Sequence, residues 1–160
     1  MEHLWAPWRM TYITEEPRPG CLFCRALNDP SDPDAALVVW RPDAAIVMLN
    51  KFPYNPGHLM VAPAAHKAGF EDLDDEEALA LMRALRRTIA ILRESLQPEG
   101  FNVGANLGRV AGAGVPDHVH LHVVPRWNGD TSFMPVLADV KVVNEHLEQT
   151  AAKLSRAFAS

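Results

Sequence analysis

Apolar and polar positions along the chain predict strands, a long helix, more strands and a last helix. Short apolar or alternating runs are typical of strands, and a proline-containing turn at residues 41–43 separates the first two runs as in a hairpin. A glycine-rich connection at residues 108–114 separates the last two runs. The strand candidates are residues 36–40, 45–49, 59–62, 101–107 and 117–124.

Two helices complete this pattern. The first begins after Asp72 or Asp74, where acidic residues suit the positive end of a helix dipole, and leucine and isoleucine then recur at helical spacing as far as Leu96. The same spacing predicts a C-terminal helix through Val143, Leu147, Ala151, Leu154 and Phe158. The order of elements predicts an α+β fold with a largely antiparallel sheet of about five strands.

Length and charge bound the possibilities further. The 160 residues are enough for one domain, which we divide into an N-terminal arm (1–20), a core (21–130) and a C-terminal loop and helix (131–160). The net charge of -5 argues against broad binding to nucleic acid or an anionic membrane, although a small anionic ligand stays compatible with it. With neither a long apolar span nor a basic, apolar start, the sequence predicts a cytoplasmic protein.

Three histidines mark the candidate chemistry. His118, His120 and His122 alternate with aliphatic residues, so a strand would place all three imidazoles on one face. The outer two would lie about 13 Å apart, too far to share an ion at about 2.1 Å from each nitrogen. We therefore expect divided roles: the middle imidazole attacks phosphorus, and a neighbour binds a phosphoryl oxygen or protonates the leaving group.

These residues carry a family resemblance. Residues 118–124 resemble the motif of the histidine triad family of nucleotide hydrolases and transferases. Residues 50–58 resemble that family's ribose-contacting Asn and following Pro-Gly-His, and the similarity covers residues 21–130. Residues 4–10 and 125–130 look most like the bacterial branch related to diadenosine tetraphosphate phosphorylase. The resemblance implies a HIT-like fold and a homodimer formed by extension of the sheet.

The resemblance also implies roles for single residues. It makes His120 the nucleophile that forms a nucleotidyl-histidine intermediate, with His122 contacting the phosphates. At position 114, where related branches usually carry Gln, this chain has Gly114, so either backbone N–H groups substitute for that side chain or the acceptor step differs. Trp127 either lies over a nucleobase or packs the end of the sheet. The implied nucleotide-contacting residues are Asn50, Asn106, Gly112, Ala113, Gly114, Val115, His122 and Trp127.

The two cysteines, Cys21 and Cys24, form one C-x-x-C pair, which excludes a disulfide framework. The residues leave three interpretations open: a redox couple, a zinc half-site or two buried thiols. Residues 17–20, which precede the pair, do not suggest the strand-to-helix context in which redox motifs usually lie. Galactose-1-phosphate uridylyltransferase, a distant relative, implies a structural zinc site. Carried over, its ligands are Cys21, Cys24, His66 and His118.

The leading hypothesis is an enzyme that cleaves diadenosine tetraphosphate by phosphorolysis, with a nucleotide and inorganic phosphate as its small-molecule partners. Hydrolysis of dinucleoside polyphosphates or of purine nucleoside phosphoramidates is the first alternative. A zinc-ordered nucleotide-binding protein with little turnover and a zinc hydrolase are the others. The roles of Trp5, Trp8, Arg9 and Arg126 stay open, although a guanidinium suits phosphate oxygens.

Overall fold

An open, antiparallel five-stranded sheet organises the residues that the computed structural model describes, 18–130 and 146–160. The strands are β1 (Val38–Trp40), β2 (Ala45–Leu49), β3 (Leu59–Pro63), β4 (Gly100–Gly104) and β5 (Leu121–Arg126), in the spatial order β1-β2-β3-β5-β4. The helices of the described residues are α1 (Leu22–Asn28), α2 (Asp75–Leu96) and α3 (Leu147–Ala159). The predicted α+β class is confirmed. Predictions on Trp5, Trp8, Arg9 and Val143 lie outside the described residues.

Helix α2 begins where the acidic run predicts. The Asp74 carboxylate accepts a hydrogen bond from the Glu77 N–H at 2.8 Å, and Glu77 Oε2 accepts one from the Asp74 N–H at 2.9 Å. This reciprocal pair satisfies two N–H groups that the first turn leaves free. The helix ends at Leu96, and Gln97 follows in the left-handed conformation with φ of 50°. Within the described residues, no helix is both long and apolar enough to cross a bilayer.

The two faces of the sheet bury different elements. On one face, strand residues such as Val47 and Val61 pack against α2, and α3 packs beside α2 and over β1. On the other face, Ile46, Met48 and Met60 pack against Phe23 of α1. His122 lies opposite Met60 in the β3–β5 ladder, so the row of histidines belongs to the face that α1 covers.

The predicted strand at 117–124 starts later than expected. Only His122 of the three histidines lies within β5, because the ladder with β3 ends at the pair Leu121–Val61. Continuing the register would place Val119 opposite Pro63, which has no N–H to donate. The Val119 N–H instead donates to the Lys67 carbonyl at 2.7 Å.

Other boundaries also differ from the sequence predictions. Of residues 36–40, the structure keeps 38–40 as a strand, since a 3-10 helix (Pro33–Leu37) precedes it and Asp32 caps that helix through the Asp34 N–H. The strand predicted at 101–107 is Gly100–Gly104. The C-x-x-C pair opens α1, a helix that the sequence analysis did not predict.

Candidate active site and cysteine–histidine cluster

The His120 imidazole is held as a neutral ring with a free Nε2. Its Nδ1 lies 2.9 Å from the His118 carbonyl oxygen, which can only accept, so Nδ1 carries the proton. Burial lowers the pKa of His120 below its usual 6.5, outweighing the carbonyl hydrogen bond that favours the charged form. The lone pair on Nε2 is therefore available at neutral pH, which is the state that a nucleophile needs.

His122 is held in the complementary state. The Tyr54 N–H donates to His58 Nδ1 at 3.1 Å, which places the His58 proton on Nε2. His58 Nε2 then donates to His122 Nδ1 at 2.9 Å, so neutral His122 carries its own proton on Nε2. Burial, and next the charge of nearby His120, lower the pKa of His122. The ring centroids of His120 and His122 are 4.9 Å apart. His120 therefore offers a lone pair, and the neighbouring His122 offers an N–H donor.

His118 faces a different group of side chains. Its Nε2–H donates to the Pro63 carbonyl at 2.8 Å, which leaves the Nδ1 lone pair free to bind a cation. The ligand atoms of Cys21, Cys24, His66 and His118 all lie within 4.8 Å of one another. We call these four residues the cysteine–histidine cluster.

The spacing inside the cluster fits a tetrahedral zinc ion. Bond lengths of about 2.1 Å to nitrogen and 2.3 Å to sulfur place two nitrogens about 3.4 Å apart and a nitrogen and a sulfur about 3.6 Å apart. The two His Nδ1 atoms are 3.3 Å apart. His118 Nδ1 lies 3.3 Å from Cys21 Sγ and 3.7 Å from Cys24 Sγ. A Cys2His2 donor set of this size suits zinc.

The two thiols of the cluster differ in acidity. Burial acts to raise the pKa of Cys21, but its contacts with the His118 imidazole, the Cys24 backbone and the His66 imidazole outweigh it and lower the pKa to about 6. Burial and the neighbouring Cys21 raise the pKa of Cys24. Cys21 is thus the readier thiolate of the pair.

An arginine fixes the turn that leads into the cluster. Arg25 Nη1 donates to the carbonyls of Pro19 and Gly20 at 2.9 and 2.8 Å, just before Cys21. The same guanidinium lies 3.2 Å from the carboxylates of Asp32 and Asp34, both buried. Two carboxylates and one guanidinium therefore set the position of the C-x-x-C turn.

Apart from His122, the predicted nucleotide-contacting residues lie in three places: after β2, around the loop 112–115, and beyond β5. Asn50 follows β2 and exchanges hydrogen bonds locally: its N–H donates to the His58 carbonyl and its Oδ1 accepts from the Phe52 N–H, both at 2.9 Å. The loop of Gly112, Ala113, Gly114 and Val115 leads directly into the histidine row, and the His118 N–H donates to the Val115 carbonyl at 3.4 Å. Asn106 Nδ2 lies 3.5 Å from the Gly112 carbonyl at the other side of this loop.

Trp127 lies beyond the far end of β5. Five residues of extended chain place it about 16 Å from His122. Asp130 fixes the turn there: its carboxylate accepts from Arg126 Nε at 2.6 Å, from Asn55 Nδ2 at 2.7 Å and from the Trp127 N–H at 3.1 Å. Arg126, left open as a phosphate-binding side chain, thus forms an ion pair with Asp130.

Two aromatic residues of the site were missed by the sequence analysis. The Phe23 ring lies 5.0 Å from that of His118 and 5.1 Å from that of His120. The Tyr54 ring stacks on His58 at 4.9 Å. The available signal was the position of Phe23 inside C-x-x-C and of Tyr54 just before Asn-Pro-Gly-His, but neither contact follows from spacing alone.

Comparison with known proteins identifies the family. The model of the HIT domain matches residues 33–129. The chain belongs to the histidine triad family. It is 37% identical over 171 residues to a Mycobacterium tuberculosis protein named AP-4-A phosphorylase, covering 99% of this chain and 85% of that protein. An adenosine 5′-monophosphoramidase of Schizosaccharomyces pombe is 30% identical over 68% of this chain and 76% of its own length. Both relatives are named as enzymes.

A solved structure agrees with these sequence matches. A zinc-bound histidine triad family protein from Mycobacterium smegmatis superposes with a TM-score of 0.67 at 32% identity. The match covers 88% of this chain and 94% of that one. The predicted HIT-like fold and family are confirmed.

Proposed function

We propose that this protein is a nucleotidyltransferase that cleaves dinucleoside polyphosphates such as diadenosine tetraphosphate. His120 Nε2 attacks an α-phosphorus, a P–N bond forms, and the P–O bond to the leaving polyphosphate breaks with its electron pair. The N–H of His122 stabilises the charge on the phosphoryl oxygens. The observation that carries this proposal is the bond from His120 Nδ1 to the His118 carbonyl, because it leaves a lone pair on Nε2 beside the donor of His122.

In the second step, we propose that inorganic phosphate takes the nucleotidyl group from His120, which releases ADP and regenerates the imidazole. A side chain at Gly114 would meet no atom within 4 Å, so this position offers open space for an acceptor larger than water beside the loop that enters His118. Backbone N–H groups of residues 112–115 are the donors that we assign to the phosphates. The similarity to the M. tuberculosis phosphorylase supports the same reaction.

The test is an incubation with diadenosine tetraphosphate, with and without phosphate. ADP and ATP formed only with phosphate would support phosphorolysis, whereas AMP and ATP in both samples would make the protein a hydrolase. Gly114→Gln is expected to lower the yield of ADP relative to AMP. Gly100→Gln is the control that should leave the ratio unchanged, because it also places its side chain in open space but begins β4, opposite Arg126 at the far end of β5.

The cysteine–histidine cluster is proposed to hold a structural zinc ion through Cys21, Cys24, His66 and His118. The distances within it and the zinc-bound relative from M. smegmatis support this assignment. A bound zinc ion would connect α1, through Cys21 and Cys24, to His118, which precedes the two catalytic histidines. Metal analysis should find one zinc per chain, lost in His66→Ala and kept in His146→Ala, an exposed histidine outside the cluster. A wild-type protein expressed with zinc and found metal-free would contradict the assignment.

A homodimer formed through β4 is the proposed assembly. Among the described strands, β4 pairs with β5 on one side and with none on the other, and Val103 is 43% exposed there. A second copy of β4 would extend the sheet and satisfy that edge. Sedimentation equilibrium should give twice 17.7 kDa. Val103→Asp should shift the mass to 17.7 kDa, while Val110→Asp, at an exposed position of a short 3-10 helix (Arg109–Ala111), should not. A monomeric wild type would refute the dimer.

A further inference from the structure

We propose that Phe23 is a positioning residue for the His120 imidazole and makes the rate of nucleotidyl transfer depend on the cysteine–histidine cluster. This inference rests on the proposed function, in which His120 is the nucleophile. Phe23 is the third residue of the C-x-x-C segment, lies in α1 and is 0% exposed. Its ring contacts two imidazoles of the histidine row, that of His118 and that of His120.

A flanking ring is needed because of how His120 is held. The hydrogen bond from Nδ1 to the His118 carbonyl is one constraint on a side chain with two torsions, so a coupled change of χ1 and χ2 stays open. The Phe23 ring occupies the space beside the imidazole at a centroid distance of 5.1 Å and an interplanar angle of 46°. In a close-packed interior, that contact excludes other ring orientations and keeps Nε2 aimed in one direction.

Phe23 also connects the His120 imidazole to the cysteine–histidine cluster. Phe23 stands between Cys21 and Cys24 in the sequence, and both sulfurs lie within 3.7 Å of His118 Nδ1. His118 in turn contacts Phe23 through its ring and His120 through its carbonyl. Loss of a thiol would therefore shift α1 and the His118 ring together, and the shift reaches the nucleophile through Phe23.

A purely structural role makes a different prediction. Phe23 also packs in the core of the second sheet face with Ile46, Met48 and Met60. If filling that core were its whole role, truncation would lower stability and leave the reaction rate unchanged. Leu27 supplies the matched control, because it lies on α1 and packs against the same core.

The test is the rate of nucleotidyl-His120 formation in a single turnover of diadenosine tetraphosphate, measured with KM and the unfolding midpoint. Phe23→Leu should slow this step about 10- to 100-fold with KM nearly unchanged, because small misplacements of a reacting group cost rates of this order. Phe23→Met, which keeps volume but not a rigid ring, should fall between Phe23→Leu and wild type. Leu27→Ala should lose stability and keep the wild-type rate.

Cys24→Ser tests the connection to the cluster. It should slow the same step, and the double variant Phe23→Leu/Cys24→Ser should be no slower than the slower single variant, because both changes act through one contact. A wild-type rate for both Phe23 variants, or independent multiplication of the Phe23→Leu and Cys24→Ser effects, would overturn the inference. If wild type forms no adduct, it is the proposed function that fails.

Discussion

Replacing His58 with phenylalanine is expected to destabilise the protein and to slow nucleotidyl transfer by separately measurable amounts. The substitution keeps an aromatic ring against Tyr54 but removes the hydrogen bonds from the Tyr54 N–H and to His122 Nδ1. His58 is 0% exposed. The two partners are not buried themselves, since Tyr54 is 56% exposed and His122 is partly exposed. Losing two hydrogen bonds at about 0.5–1.5 kcal/mol each should lower the free energy of unfolding by about 1–3 kcal/mol.

The effect on the rate comes from the proton on His122. The His58 N–H donates to His122 Nδ1 at 2.9 Å and so keeps the His122 proton on Nε2, where it can donate to a phosphoryl oxygen. In His58→Phe this hydrogen bond is lost, and the proton is no longer held on Nε2. A hydrogen bond to a charged group is worth about 1.5–3 kcal/mol, which corresponds to a rate loss of about 10- to 150-fold. His58→Gln, whose amide can still donate to His122, should recover part of this loss.

Urea unfolding and single-turnover kinetics separate the two effects. Leu154→Ala is the control for stability alone, since Leu154 is 0% exposed on α3 and packs on the opposite face of the sheet. It should cost about 2–5 kcal/mol and leave the rate of adduct formation unchanged. A wild-type rate in His58→Phe, or an equal slowing in Leu154→Ala, would refute the reasoning about the His122 proton.

Three further results are expected. Because burial lowers the pKa of His120 below 6.5 and only the neutral ring attacks, the rate of adduct formation should fall with acid with its midpoint below pH 6.5; a midpoint above pH 6.5 would contradict this. Gly57→Ala should lower the unfolding free energy by about 2–5 kcal/mol, because φ is +75° and the new Cβ would lie 2.4 Å from Leu96 Cδ1; an unchanged urea midpoint would disprove the strain. Gln97→Gly should raise the free energy of unfolding by about 0.5–1 kcal/mol, since Gln97 follows α2 in the left-handed conformation at φ of 50°; a lower urea midpoint would count against this effect of the backbone conformation.

Features set by local sequence could be predicted. The start of α2 depends on Asp74 and Glu77, which are three residues apart, and the acidic run indicated it. Local spacing also predicted that the three histidines divide their roles, because the outer imidazoles of such a row cannot share an ion; that His118 is the one grouped with the cysteines came from the family resemblance. In the structure His118 indeed faces the two thiols and His66.

Features set by distant contacts could not be predicted. The start of β5 depends on the register of β3 and β5, which would bring Val119 opposite Pro63 if the ladder continued, and these strands come from separate parts of the chain. The proton positions on the imidazoles depend on backbone carbonyls and N–H groups such as that of Tyr54. Helix α1 has only seven residues, too few for a clear period, so the placement of Phe23 against His120 emerged only from the fold.

The most direct measurement is the intact mass of the protein trapped during turnover of diadenosine tetraphosphate. A rapid quench under alkaline denaturing conditions, which preserve a phosphorus–nitrogen bond, should show the mass of one added adenylate, and peptide mapping should place it on His120. His120→Ala should show no added mass, and His146→Ala should show it as wild type does. Consumption of the substrate with the protein mass unchanged throughout, or an adenylate on another residue, would contradict the central role of His120.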